Sequence, residues 1–579
     1  MRDFNSLLAC RLSSHVLAFA CPTKSTTIRV NDSPEFVPTR IFSPQESGLS
    51  ILIARSESFE HDLLSTISLA TDSATHQLSG EDLCDLKTFL RETCSPLAAK
   101  IRQDIVGFFA SLLEEGCPDS FGLSASLVEI NESLRERLPI ARVSEQLPQS
   151  LHVDSLFRVT DTAFYMRGWF RDEHSAVTQL TAVSPEGARV EILADSFRYH
   201  RTDVHTFYRR PAAQTANDKF GFIRYFEIPT PSLAPDGWVV EMRSASGFAC
   251  EAAVPPVDAG EVRDSILSDI SLKPPGRDSE ILRQVHLAIS RLQEDRHKSV
   301  RAKEVVQYGA PPVDPPVSII VPLYGRVDFL EQQLAQFVRD PEFAAVDLIY
   351  VLDSPELAEH VNNLAARLTE LYGISFRIAS LNCNGGFSAA NNIGASLARS
   401  DVLLLLNSDV LPSEPGWLGN LLRYHKANPK LGALGVKLLF EDGSLQHAGM
   451  YFSRMLDGSG WENMHYFKGL DGSLSAANEI RTVPAVTAAC LMIDRALYEG
   501  VGGLRGAYVQ GDYEDSDLCL RLAAQGRESC YFPGVTLYHL EGQSYPAPLR
   551  ALTSRYNRWL HSQIWEQQMT DAMTRYGTY

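Results

Sequence analysis

Residues 317–545 constrain the fold more than any other stretch, because four apolar runs there alternate with segments of helical character. The runs are VSIIVPLYG, DLIYVLDS, SFRIASL and DVLLLLNSD, with helical spacing between them at 327–339, 356–372 and 388–398. A strand that is apolar at nearly every position must be covered on both faces, which parallel or mixed sheets achieve by packing helices on either side. The spacing therefore predicts an α/β domain with a doubly wound mixed sheet. Ligands of such sheets collect at the carboxyl ends of the strands, so the residues following each run matter most.

The sequence upstream is different in kind. Residues 1–145 read as an α/β region of unassigned role, with a strand near 49–54 and a helix over 97–115 carrying Ile101, Ile105, Phe108, Phe109 and Leu112 on one face. Between 150 and 256, short β-branched and aromatic runs such as GFIRYFEIP and GWVVEMRSA alternate with turn residues, the pattern of a β-sandwich-like accessory domain. Its aromatics are either core or a carbohydrate-binding face. Two helical segments form a connector over 258–300. Pro311-Pro312-Val313-Asp314-Pro315-Pro316 then marks a Pro-rich linker at 301–316, which opens a domain and helical tail over 317–579.

Acids outnumber Lys and Arg by 71 to 53, a formal charge of −18. A surface that binds nucleic acid needs clustered positive charge, so no nucleic-acid partner is expected. An acidic chain that binds a diphosphate must also supply local cations. The 10 cysteines form no CxxC pair, which argues for free thiols in a reducing cytosol rather than a zinc or redox site. No apolar window is long enough for a membrane span. Arg11, Ser13, Ser14 and His15 interrupt the apolar N-terminal stretch, which is read as not a signal peptide.

Polar residues crowd three strand ends. Asp353 follows the second apolar run, where a carboxylate either accepts the N3–H of a uracil or thymine base or merely opens a turn. Asn407 and Asp409 follow the fourth run one residue apart, a spacing that puts two oxygen side chains on one face and suits a hard divalent cation. The helix opened by Asn384-Gly385-Gly386 carries Asn391 and Asn392; its glycines admit close backbone approach, and its asparagines either cap the helix or bond ribose or phosphate. Asp512, Glu514, Asp515 and Asp517 crowd the start of another helix. They are more acids than dipole compensation requires, which favours a carboxylate base facing an acceptor hydroxyl. His539 follows an apolar strand-like run at 531–538, as a metal ligand or a structural histidine.

VSIIVPLYGR, NGGFSAANNIGASLA, LLLLNSDVLPSEPGWL, YEDSDLCLR and YHLEGQS occur in one order over residues 317–545, and together they resemble the family-two inverting glycosyltransferases of GT-A fold. That resemblance implies a hexosyl- or deoxyhexosyltransferase of surface polysaccharide synthesis, using a nucleoside-diphosphate sugar (UDP or dTDP) and Mn2+ or Mg2+. The acceptor would be a glycan or lipid-linked, and the location cytoplasmic, at the inner membrane face for a lipid acceptor. It implies Asp515 as catalytic base and Glu514 as acceptor-binding. Asp353, Asn384, Asn392, Asn407 and Arg326 would be donor-binding, and Asp409 and His539 metal ligands. Arg521 is expected to pair with a nearby acid. Arg550, Arg555 and Arg558 either close over the diphosphate or form a solvated helix face. There are departures: Gly325 stands where the family often has Asn, Asp353 lacks the usual Gly-Ser turn, and Asn407 replaces the first acid of the metal motif. A sugar-nucleotide pyrophosphorylase and a nucleotide- or glycan-binding protein without transferase activity are the rival readings.

Overall fold

The computed structural model describes residues 279–540 and 547–577 without a break, most of 149–272, and short stretches between 8 and 109. Contacts divide the chain into two compact units, Met1–Ala259 and Gly260–Tyr579.

In the first unit, Ser50–Arg55 is a strand in an antiparallel sheet with Val16–Cys21, Leu8–Ser13 and Arg40–Phe42, as the sequence near 49–54 suggests. Of the expected helix over 97–115, Ile105, Phe108 and Phe109 are helical and buried; the rest lies outside the described residues. Two four-stranded antiparallel sheets follow. One contains Ala163–Asp172 and Gly221–Glu227, the other Val177–Val183 and Val239–Ser244. Both bury their inner faces in one core, to which Phe164, Met166, Phe222, Leu180, Trp238 and Val240 contribute. This is the sandwich read from the alternating runs, and these aromatics fill it.

The second unit is built on one mixed sheet. Its strands are labelled β1 (Ala302–Tyr308), β2 (Ser318–Leu323), β3 (Asp347–Leu352), β4 (Phe376–Leu381), β5 (Val402–Leu406), β6 (Val410–Pro412), β7 (Leu431–Leu439), β8 (Leu445–His447), β9 (Met450–Arg454), β10 (Trp461–His465), β11 (Arg481–Val483), β12 (Cys490–Asp494) and β13 (Glu528–His539). The order is β1-β4-β3-β2-β5-β12-β7-β13-β6, with β8 on β7 and β11 on β13. β4, β3, β2 and β5 run parallel, whereas β1 pairs antiparallel with β4 and β12 antiparallel with β5 and β7. β9 and β10 form a separate hairpin. The helices are α1 (Val262–Ser268), α2 (Ser279–Ser299), α3 (Phe329–Phe337), α4 (Ala358–Tyr372), α5 (Phe387–Ser396), α6 (Trp417–Ala427), α7 (Arg495–Gly500), α8 (Glu514–Ala524) and α9 (Ala547–Tyr576).

The apolar runs are explained by two cores, one on each face. Ile319, Val321 and Leu323 of β2 point into one, and Ile320 into the other; Leu348, Tyr350 and Leu352 of β3 are likewise opposed by Ile349 and Val351. Helix α5 lies so close to the sheet that a Cβ on Gly394 would stand 2.4 Å from Cγ2 of Ile320, so glycine is required there. Among the described residues no helix is long and apolar enough to cross a membrane.

The boundary differs from the expected one. The stretch 301–316 contains β1, an edge strand whose Ala302 faces Leu381 and whose Tyr308 faces Phe376. The prolines come only after it. Its AKEVVQY sequence has strand propensity that the proline density downstream masks. The helices at 258–300 consequently belong to the second unit, and the division falls at Ala259/Gly260.

Candidate active site

The carboxyl ends of β3 and β5 and the end of β13 open on a cavity of about 620 Å3. Asp353, Asn384, Asn407, Asp409, Glu514, Asp515 and His539 all line it, although 186 positions separate Asp353 from His539 (539 − 353).

At the end of β3, Asp353 is 3% exposed. Its carboxylate accepts the backbone N–H groups of Gly385 at 2.5 Å and Gly386 at 2.8 Å, and the Asn384 side-chain amide at 3.3 Å. Burial pushes its pKa up to about 6, against the opposing pull of the two glycine N–H groups. Gly386 takes φ +82° in opening α5, a conformation that suits glycine. Asn384 bridges Asp353 to α2, since Arg296 Nε donates to its backbone carbonyl at 2.5 Å and Nη2 to its Oδ1 at 3.2 Å.

Beyond β5, antiparallel pairing of β6 with β13 sets Val410 opposite His539, and the Leu540 N–H donates to the Asp409 carbonyl at 3.0 Å. That register leaves His539 Nε2 3.3 Å from Asp409 Oδ1, with both residues buried. His539 Nδ1 and Asn407 Oδ1 are buried atoms with no protein partner. A buried polar atom left unpaired is costly, and such atoms in a cavity point to a ligand. Among the described residues no group of three or more His, Cys, Asp or Glu side chains could hold a metal ion. The Asp409–His539 pair is nevertheless a compatible donor set for a hard cation that completes its shell with water and phosphate oxygens.

The third contribution comes from the turn before α8. Gln510, Asp512 and Tyr513 have φ of 65°, 79° and 80°, left-handed values for non-glycine residues. Each costs on the order of 1–3 kcal/mol and persists only where surrounding contacts impose it. The turn feeds Glu514 and Asp515 into the cavity from the first turn of α8. Asp515 accepts from the Ser516 N–H at 2.7 Å and the Ala488 N–H at 3.3 Å, yet burial pushes its pKa up to about 6. Glu514 is driven well above the usual carboxylate range, first by burial and then by the charges of Asp515 and Asp512. Both neighbouring acids therefore hold their protons more tightly than exposed carboxyls do, chiefly because they are buried.

Asp517, in the same acidic run, belongs to the scaffold. It is fully buried and accepts from Arg521 Nε at 2.7 Å, Arg505 Nε at 2.9 Å, Trp565 Nε1 at 2.8 Å and the Tyr508 hydroxyl at 3.2 Å. Arg521 is thus paired locally, as the sequence suggests. Removing one partner of a buried ion pair strands the other, so Asp517→Ala should cost about 3–5 kcal/mol in chemical unfolding. The surface pair Arg495–Glu499 serves as the comparison, and breaking it should cost about 0–1 kcal/mol. A loss at Asp517 no larger than that of the surface pair would refute its anchoring role.

Two residues expected at the donor site are elsewhere. Asn392 does not line the cavity; its Oδ1 accepts from the Tyr498 hydroxyl at 2.6 Å and the Leu504 N–H at 2.9 Å, and its amide donates to the Leu504 carbonyl. Nearly two helical turns separate it from the glycines, which rotates it toward α7 and the loop that follows. Arg326 is half-exposed and held by Asp328, with Nε to Oδ1 at 2.9 Å, outside the cavity lining. Of the three arginines in the first half of α9, Arg550 lines the cavity, Arg555 donates to the Ile270 carbonyl, and Arg558 lies 3.8 Å from Glu462. Sequence reasoning missed the cavity-lining Asn463, His465 and Lys468 at and beyond the end of β10, which no recognisable spacing marks.

Residues 315–562 match the family model described as glycosyltransferase like family 2. Over this segment the chain resembles the family-two glycosyltransferases. Over 233 residues the chain is 29% identical to the uncharacterized protein y4gI of Sinorhizobium fredii (strain NBRC 101917 / NGR234), covering 40% of this chain and 25% of that one. Over 236 residues it is 29% identical to the O-antigen biosynthesis protein RfbC of Myxococcus xanthus, covering 40% of this chain and 18% of that one. The chain thus spans a quarter or less of the length of these relatives. Two solved structures are similar at 14% identity. A structure of GalNAc-T7 with UDP, GalNAc and Mn2+ has a TM-score of 0.34, over 44% of this chain and 50% of that one. Mannosyltransferase PcManGT from Pyrobaculum calidifontis, in complex with GDP-Man and Mn2+, has a TM-score of 0.30, over 55% and 88%.

Proposed function

We propose that the family-two domain transfers a hexosyl or deoxyhexosyl group, with inversion, from a nucleoside-diphosphate sugar to a hydroxyl of a glycan or lipid-linked acceptor. The observation that carries this reading is the convergence of Asp409, His539 and Asp515 on one cavity. Surface polysaccharide synthesis is the proposed setting, suggested by the similarity to RfbC. The work would be cytoplasmic, at the inner face of the membrane when the acceptor is lipid-linked.

Donor binding falls to the β3 and β5 ends. A carboxylate offers about four acceptor positions, and Asp353 uses three, leaving room for the N3–H of UDP or dTDP. Bound by Asp409 and His539, Mn2+ or Mg2+ would supply Lewis-acid stabilisation of the charge on the diphosphate. Asp515 takes the proton of the acceptor hydroxyl as its oxygen bonds to the anomeric carbon and the bond from that carbon to the diphosphate breaks. Attack from the face opposite the leaving group inverts that centre. Glu514, whose proton burial and the neighbouring acids hold more tightly, lines the same cavity and orients the acceptor by hydrogen bonding.

The test is a thermal-shift panel of nucleoside diphosphates with and without manganese, followed by assay of nucleoside diphosphate release from the matching sugar donors. A ligand at about 100 times its dissociation constant adds roughly 2.7 kcal/mol, a shift of several degrees. The proposal fails if no nucleotide shifts the transition and no donor is turned over.

A further inference from the structure

The strained turn before α8 is held from a distant part of the chain. Asn557, in the middle of α9, is fully buried and does not line the cavity. Its amide nitrogen donates to the carbonyls of Gly511 at 2.7 Å, Val509 at 3.0 Å and Asp512 at 3.2 Å, and its Oδ1 accepts the Val509 N–H at 2.9 Å. One side chain thus reaches four backbone groups, its two N–H donors shared among three carbonyls, in a segment where Gln510, Asp512 and Tyr513 are left-handed. The turn's other ties include the Phe387 N–H to the Gln510 carbonyl at 2.8 Å, the Gly511 N–H to the Val509 carbonyl at 2.8 Å, the Ser516 hydroxyl and Asp517 N–H to the Tyr513 carbonyl, each at 3.0 Å, and Arg550 at 3.9 Å from Asp512. The same face of α9 supplies His561, whose Nε2 lies 3.0 Å from that Ser516 hydroxyl.

We propose that Asn557 is a positioning residue for the transfer reaction, clamping residues 509–513 in a turn that is left-handed at Gln510, Asp512 and Tyr513 and that aims Glu514 and Asp515 into the cavity. Without the clamp, the three non-glycine residues held left-handed relax toward ordinary backbone angles. Relaxation swings the start of α8, and with it the acids, while the donor end of the cavity stays in place because Asp353, Asp409 and His539 stand on other elements. An asparagine side chain suits this role, since its two N–H donors and one acceptor meet a backbone that offers carbonyls and an N–H.

This inference rests on the transferase reading, and its test separates the two. In the full chain, Asn557→Ala should lower kcat on the order of 100-fold, the penalty expected for misplacing a reacting group by about 1 Å. Donor KM and nucleoside diphosphate affinity in manganese should stay at wild-type values. Asn557→Ser, which keeps one hydroxyl, should fall between the two. Amide exchange at residues 509–513 should speed up in both variants while the strands of the sheet keep their protection. A purely structural asparagine would lower the folded fraction and leave kcat per folded molecule alone. Wild-type kcat in the folded variants, or unchanged exchange at 509–513, overturns the clamp. If the wild-type protein turns over no donor, the proposed function falls, and the exchange measurement alone decides whether Asn557 holds the turn.

Discussion

Asp515→Asn is expected to lose about 10²–10⁴-fold in turnover while still binding nucleoside diphosphate with manganese, the range general-base catalysis typically contributes. The substitution keeps one oxygen, which can accept the Ser516 N–H at 2.7 Å and so hold the start of α8 in place, whereas the amide nitrogen in the other position cannot accept the longer Ala488 contact. What is removed is the capacity to take a proton, together with the acceptor for the Ala488 N–H. Two accompanying signs make the expectation specific. With Asp515 titrating at about 6, wild-type activity should fall as pH drops through that value, because the base becomes protonated. The stability effect has the opposite direction. A carboxyl whose folded pKa is raised binds its proton more tightly when folded, so its contribution is present at low pH and is lost as pH rises through about 6. At pH 8 the wild type therefore bears the burden of a buried charge that the asparagine variant lacks, and the variant should melt at the same or a higher temperature. Near-normal turnover in Asp515→Asn would remove Asp515 from the chemistry.

Asp409→Ala is expected to abolish metal-dependent behaviour altogether. Removing the carboxylate leaves His539 as the sole strong donor of the pair, and a hard divalent cation depends chiefly on oxygen ligands. Lewis-acid stabilisation is worth several kcal/mol and each 1.36 kcal/mol is tenfold in rate, so turnover should drop by about 10³-fold or more. The additional thermal shift that manganese gives with a nucleoside diphosphate should vanish. Chelation of the wild-type protein should reproduce both effects, and added manganese should reverse them. An enzyme that keeps its turnover in chelator would show that Asp409 serves some other purpose.

Much of the second unit is legible in the sequence because burial on both faces of a sheet leaves a mark that needs no tertiary information. β2, β3 and β5 are apolar at almost every step, and the carboxyl-end rule then draws attention to Asp353, Asn407 and Asp409. Edge strand β1 is hidden because one flank is solvated, so its half-exposed residues resemble a linker. Asn392 and Arg326 illustrate a different limit. Proximity along the chain to a ligand-binding loop does not decide direction, and on a helix a few residues rotate a side chain to another neighbour. The strained turn is illegible because its left-handed residues are Gln510, Asp512 and Tyr513 rather than glycines, and the asparagine that holds them is about 45 positions downstream.

The short ladder between β6 and β13 places Asp409 beside His539 through strand register rather than through a loop of fixed length. Successive side chains of a strand point to opposite faces, so deleting a single residue between Thr536 and His539 would preserve the ladder's hydrogen bonds yet turn the imidazole away from the carboxylate. Changes of length are confined to the exposed turns between the elements that β6 and β13 enclose. At the ladder itself the chain counts in steps of two.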